Sequence, residues 1–368
     1  MCTPGGIGVC SNTCPQSNLH SGRRLAAARN AMNASPPPAG SEPGSRPVSA
    51  ADASSGAAAK PGPRVTVIVL TRNHVRQIVD TVARLTALPE HPHVIVADNG
   101  SSDSTVSLLA SLFPQVRIVQ TLGDHGVAGF NRAFALARTD YVACCDDSTW
   151  FAPGALAQAV QRLDDHPNVA VLNARVVGED EREIHPACLM LNATSPGGEG
   201  LPGPALAGFM AGACIFRTSV LRALGGYEER LSHGGAEELA ALDVLSAGHA
   251  IVYCEAALAH REPLCRWFTR AQHCALARNS AWVAWMRLPL RDALAATGHA
   301  LVVFARQQSL GPAGFALLRG AFWALRRRRV APAHVVLLTR QVRRAERHVR
   351  AGIPAMAEKY DQSGQRAW

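Results

Sequence analysis

No apolar run of about eighteen residues occurs anywhere in the 368-residue chain, so the plainest signature of a membrane-crossing helix is missing. The start, MCTPGGIGVCSNTCPQSNLH, lacks the cationic stretch and apolar run of a secretory leader. The segment SPPPAGSEPGSRPVSAADASSGAAAKPGPR (35–64) has no aromatic residue and no apolar periodicity. It cannot bury enough surface to fold alone and reads as a solvated tail or linker. The ten cysteines are scattered, several of them (Cys144, Cys145, Cys214, Cys254) in apolar stretches. Such thiols suit buried free cysteines in a reducing compartment better than a disulfide framework. The N-terminal Cys2, Cys10, Cys14 and His20 have the spacing C-x7-C-x3-C-x5-H, which matches no common zinc pattern. Two phosphate-binding fingerprints are also absent: neither a G-x-G-x-x-G after the first apolar run nor a P-loop is present.

What is present begins at Arg64. VTVIVL (65–70) is β-branched and continuously apolar, as expected of a strand buried on both faces. Val75, Ile78, Val79, Val82 and Leu85 follow at helical spacing. HVIVAD (93–98), VRIVQ (116–120) and YVACC (141–145) read as further strands. STVSLLASLF (104–113), residues 126–138 and the stretch after Pro153 read as helices. Alternation of this kind predicts an α/β domain with a mainly parallel sheet.

In such sheets ligands bind beyond the C-terminal ends of the strands. Thr71, Arg72 and Asn73 follow the first strand, Asp98, Asn99 and Gly100 the second, Asp146 and Asp147 the fourth. Each group alone is an ordinary turn. Together they converge on one sheet edge, and two of the three carry acids. Carboxylates that handle phosphate need a hard divalent cation between them, Mg2+ or Mn2+, so the aspartates suggest a metal-bridged diphosphate.

Several segments in order resemble the family 2 glycosyltransferases over roughly residues 64–263. They are VIVLTRNH, VIVADNGSSDST, DHGVAGFNRAFALA, CDDSTWFAPGAL, GFMAGACIFRTSVLRALGGYEERL and GGAEELAALDVLSAGHAIVYCEAALAHRE. The resemblance implies a GT-A fold, a Rossmann-like and mainly parallel sheet flanked by helices. It implies transfer of a sugar, of the hexosyltransferase kind, from a nucleoside diphosphate-sugar to a hydroxyl on a glycan or lipid-linked acceptor, by an inverting, metal-dependent route. Asp98 is then expected at the nucleobase, with Thr71 and Asn73 shaping its pocket. Asp147 and Asp146 are expected on the metal, Asp146 also on the ribose. Glu237 is expected as the base that takes the acceptor proton, and His260 at the diphosphate or metal. Two departures stand out. Counted back from Pro153, the last acid of the usual D-x-D falls on Ser148, and the first acid of the usual acceptor-side pair falls on Ala236. A catalytically degenerate, sugar-nucleotide-binding scaffold of the same fold is therefore the alternative reading.

Net charge is +9, yet residues 266–368 hold eighteen Lys and Arg against four Asp and Glu. That asymmetry points to an anionic partner. No DNA- or RNA-binding motif accompanies it, and nucleic acid is not expected. Phe322, Trp323 and Arg326–Arg329 suit a lipid headgroup zone. The expected organisation is a disordered tail (1–62), a GT-A domain (63–265) and a helical, basic C-terminal region (266–368), in a cytoplasmic protein with peripheral contact to an anionic inner membrane face.

Overall fold

A computed structural model describes residues 62–195, 197–262 and 269–352. Expectations placed on residues 1–61, and those parts of the expected GT-A domain and basic C-terminal region that fall on 263–268 and 353–368, lie outside these. The first strand, β1 (Val65–Thr71), is apolar except for its two threonines, and it lies inside the sheet. It pairs in parallel with β2 (His93–Asp98) on one side and β4 (Tyr141–Asp146) on the other. Beyond β2 lies β3 (Arg117–Gln120), also parallel. The register sets Thr71 opposite Asp98 and Leu70 opposite Asp146, so three polar chain ends emerge level at one edge.

On the other side the order continues through β7 (Ala213–Arg217), β6 (Val169–Gly178), β8 (Ala250–Arg261) and β5 (Thr149–Phe151), eight strands in all among the described residues. Four of the seven pairings are parallel. This is the expected mixed α/β architecture with flanking helices. Helices α1 (Val75–Thr86), α2 (Thr105–Leu112) and α4 (Ala155–Asp165) form where the apolar spacing predicts them.

Two local expectations change. Residues 126–138 do not form one helix: a 3-10 segment spans Gly126–Phe130 and a single turn, α3 (Asn131–Phe134), follows. Gly126 has φ +55°, and a Cβ there would sit 1.6 Å from the carbonyl oxygen of Ser232. The close backbone approach takes precedence over helix propensity at this point. The second change is β5, which enters directly after a two-residue turn at Asp147–Ser148 and pairs antiparallel with the end of β8. A three-residue strand is too short to show a period of two. Its effect is large, since it brings Thr149 opposite Arg261 and Trp150 opposite His260.

After β6 come α5 (Pro186–Ala193), then β7, α6 (Thr218–Leu224) and α7 (Ala236–Ser246), the last entered through Gly234 and Gly235 at φ +86° and +87°. Four helices follow β8: α8 (Arg270–Arg287), α9 (Leu290–Arg306), α10 (Leu310–Arg326) and α11 (Ala333–Gly352). The sequence suggests an amphipathic α8. Instead Ala281, Trp282, Val283 and Ala284 are all buried in succession, which covers every side of the helix, because α7, α9 and α10 pack around it. A capping box starts it: Gln272 N–H donates to Thr269 Oγ1 (3.2 Å), and Thr269 N–H donates to Gln272 Oε1 (2.9 Å). No described helix is long and apolar enough to cross a membrane.

Trp282 holds the helical layer together. Its Nε1–H donates to the carbonyl of Leu317 (3.0 Å), and its ring meets Trp323 edge-on at 5.7 Å. Gly320 makes this possible, since a Cβ there would lie 2.1 Å from Trp282 Cζ2. Gly320→Ala should therefore cost on the order of 1–3 kcal/mol through overpacking, even though alanine favours helix. A denaturant midpoint equal to or above that of the native chain would contradict this packing.

Candidate active site

The two adjacent acids at the end of β4 project into different surroundings. Asp147 is 2% exposed. Its Oδ2 accepts from Thr71 Oγ1 (3.1 Å) and lies 2.8 Å from His74 Nδ1, while its carbonyl accepts from Thr81 Oγ1 (2.8 Å). His74 is the N-cap of α1 and Thr81 lies within it. Asp147 thereby fastens the end of β4 to the start of α1. Its Oδ1 is buried without a hydrogen-bond partner.

Asp146 is more open and faces the other way. One carboxylate oxygen accepts from Ser148 N–H (3.3 Å), Ser148 Oγ (3.1 Å) and Thr149 Oγ1 (2.5 Å). The other lies 3.1 Å from an Arg261 guanidinium nitrogen. Gly212 keeps the space above it clear: a Cβ there would lie 2.9 Å from Asp146 Oδ2. Arg261 is the functional candidate that sequence reasoning missed. The resemblance singles out His260, but alternation gives the site face to only one of two neighbours, and β5 aligns Arg261 with it.

His260 occupies the neighbouring position. Its ring stacks on Trp150 at 5.8 Å, its Nε2 lies 3.7 Å from Glu181, and its Nδ1 is buried without a hydrogen-bond partner. These contacts tie it to β5 and to the loop after β6 rather than to the carboxylates of β4.

At the end of β2, Asp98 is fully buried. Its Oδ2 accepts from Ser101 N–H (3.1 Å), three residues on, and its Oδ1 has no hydrogen-bond partner. A buried carboxylate oxygen left open is costly unless something fills the role. Asn73 takes a left-handed conformation (φ +55°), tolerated by asparagine. Its Oδ1 accepts from Ser102 N–H (2.7 Å), and its N–H donates to Ser101 Oγ (2.9 Å). The turns after β1 and β2 are thus sewn together. Asn99 extends the seam, donating to Asp124 Oδ1 (3.0 Å), while Arg72 pairs with the other oxygen of Asp124.

Glu237 occupies the first turn of α7. The helix is positioned from behind by α8: the fully buried Asn279 donates to the Gly234 carbonyl (2.9 Å), and Arg287 forks onto Asp243 (2.5 and 3.0 Å). Burial raises the Glu237 carboxyl above the ordinary glutamate range. A hydrogen bond from its own N–H pulls it down, and the like charge of Glu238 adds a smaller upward push. Its field reaches Cys214 and Tyr227. Cys214 lies opposite Cys144 across β4 and β7, two residues before Asp146 and on the same face. Burial pushes the Cys145 and Cys214 thiols well above their usual value, so neither is an activated nucleophile.

The donor set does not fit a divalent cation held between Asp146 and Asp147. Of Asp147 only Oδ1 is open, Oδ2 being committed to Thr71 and His74; a guanidinium already neutralises Asp146; and Ser148 stands where the resemblance expects the last acid of D-x-D. Among the described residues no three His, Cys, Asp or Glu side chains are placed to hold a metal ion.

Residues 66–225 match the family described as glycosyl transferase family 2. No curated protein matches the chain in sequence. Among solved structures, the chain is similar to the mannosyltransferase PcManGT from Pyrobaculum calidifontis, in complex with GDP-Man and Mn2+. Identity is 21%, TM-score 0.47, over 78% of this chain and 86% of that one. It is also similar to residues 1–349 of S. aureus TarS in complex with UDP, at 16% identity and TM-score 0.46, over 78% of this chain and 92% of that one.

The raised Glu237 carboxyl has a consequence for stability. Folded Glu237 holds its proton to higher pH than the unfolded chain does. The contribution is complete below the ordinary glutamate pKa and is lost as pH rises through the raised folded value. Glu237→Gln should match the native chain's melting temperature in acid and exceed it above that window. Parallel melting curves at every pH would show that Glu237 is not perturbed.

Proposed function

We propose that this chain, whose residues 66–225 match the glycosyl transferase family 2, moves a glycosyl group from a nucleoside diphosphate-sugar to a hydroxyl of a glycan or lipid-linked acceptor, with inversion at the anomeric carbon. One observation carries the reading. The sheet edge carries a buried carboxylate with an open oxygen (Asp98) and an acid–guanidinium pair (Asp146 and Arg261), and the first turn of α7 carries a carboxyl raised by burial (Glu237).

Each group has a task in that transfer. Asp98 Oδ1 accepts a hydrogen bond from a nucleobase N–H, in a pocket bounded by Thr71 and Asn73. Asp146 accepts from a ribose hydroxyl. As the bond from the anomeric carbon to the diphosphate oxygen breaks, the diphosphate leaves with the electron pair. Arg261 donates to that developing charge, a role for which its planar array of donors is suited. The acceptor oxygen bonds to the anomeric carbon from the opposite face and gives its proton to Glu237. A carboxyl with a raised pKa is a stronger base once ionised. Asp147 acts on the reaction only by fixing the position of its neighbour. His260, packed on Trp150, supports the β5–β8 pair that delivers Arg261.

The reaction is followed by release of nucleoside diphosphate from a panel of UDP- and GDP-sugars. Glu237→Gln should lose transfer by about a thousandfold while donor affinity stays within a few-fold, because only proton acceptance is removed. Loss of donor binding in the same variant would place Glu237 in the donor pocket instead. Binding without turnover by the native chain would favour the non-catalytic scaffold, to which Ser148 and Ala236 lend support. For Arg261→Ala the expected loss of turnover is about a hundredfold, with native turnover unchanged by a chelator. Stimulation of more than about tenfold by Mn2+ would return the charge-neutralising role to a metal and displace Arg261 from it.

A further inference from the structure

Helix α10 has an outer face that nothing among the described residues covers. Phe315, Leu318, Phe322 and Leu325 are 69%, 72%, 68% and 48% exposed. Their spacing of three and four residues puts them on one stripe of the helix. The opposite face is the packed one, with Leu317 and Ala324 buried. Four large apolar side chains held in water on one helix form an apolar patch of a kind that marks an interaction site.

The charges beside this stripe identify the occupant. No acid occurs in α10, and between residues 290 and 330 the sequence has seven arginines and a single acid, Asp292. That acid is already paired with Arg340 (2.6 Å). Arg319 and Arg326 are exposed along α10, and Arg326 lies over the Phe322 ring at 5.5 Å. The four-arginine run divides by task. Arg327 pairs with Glu228, and Arg328 donates to the carbonyls of Trp285 and Leu288, so both serve the fold. Trp323 also turns inward, against Trp282.

We propose that this face of α10 docks on an anionic lipid bilayer surface. Phe315, Leu318, Phe322 and Leu325 enter the boundary between headgroups and acyl chains, and Arg319, Arg326 and Arg329 contact lipid phosphates. Apolar burial and attraction to anionic lipid act together in such helices, and neither alone anchors a protein firmly. A second copy of the chain is a poorer occupant. A face with arginines and no acids would meet its own charges across the interface. The inference is independent of the transfer reading, since no residue of the sheet edge takes part.

The test is flotation of the full chain with vesicles of phosphatidylcholine alone or mixed with phosphatidylglycerol. The native chain should float with the mixed vesicles and remain behind with the neutral ones. Phe315→Ser combined with Phe322→Ser should weaken binding about tenfold or more, with an unchanged circular dichroism spectrum, because both rings are already in water. Arg319→Glu combined with Arg326→Glu should abolish the preference for phosphatidylglycerol. Equal flotation with both vesicle types overturns the electrostatic assignment. Equal binding by native chain and Phe variant overturns the docking face. A native dimer in light scattering that the Phe variant converts to monomer assigns the face to a second copy and overturns the proposal.

Discussion

A fully buried strand that ends in two adjacent carboxylates sets the terms for the surrounding structure. An isolated ionised carboxylate cannot be taken out of water without compensation worth several kcal/mol. At the end of β4 each acid has its own solution. Asp147 is received by Thr71 and His74 through its carboxylate and by Thr81 through its carbonyl, and this locks α1 against the sheet. Asp146 is received by Ser148, Thr149 and Arg261. Supplying Arg261 requires that the chain turn immediately after Asp147 into β5, that β5 pair with β8, and that β8 run beside β6. One electrostatic constraint therefore links the first helix, the short fifth strand and the last strand.

The α/β layer was legible in the sequence wherever burial is uniform. VTVIVLT and HVIVAD read as interior strands from their apolar, β-branched composition, and their parallel order sets Thr71, Asp98 and Asp146 at one edge. Two kinds of feature were not legible. One is structure set by long-range approach: Gly126 against Ser232, or β5 against β8. The other is the assignment of roles within a motif. Adjacent aspartates look like a chelating pair in a string of letters, yet neighbours at a strand end face different ways, and here one is structural and the other holds an arginine. Arg261 lies next to His260, on the opposite phase of the strand.

The C-terminal helices form part of the framework of the candidate site as well as a surface. Through Asn279 and Arg287, α8 holds the glycine turn and the helix that present Glu237. Glu238, next to the proposed base, is meanwhile occupied by Arg343 of α11 (2.6 Å). The basic character of this region thus has two parts. Arg287, Arg327, Arg328, Arg340 and Arg343 serve internal contacts, and others, Arg319, Arg326 and Arg329 among them, face water. Counting charges along the sequence cannot separate them, whereas partners and exposure do.

The central claim is that a nucleoside diphosphate-sugar lies across the ends of β1, β2 and β4, with its base on Asp98. Calorimetric titration of UDP and GDP into the native chain and into Asp98→Asn tests it most directly. The substitution keeps the size of the side chain and removes the charge from the buried oxygen. The account predicts that one of the two nucleotides binds the native chain and binds Asp98→Asn about tenfold more weakly or worse. Equal affinity for both proteins, or no binding of either nucleotide to the native chain, would contradict it.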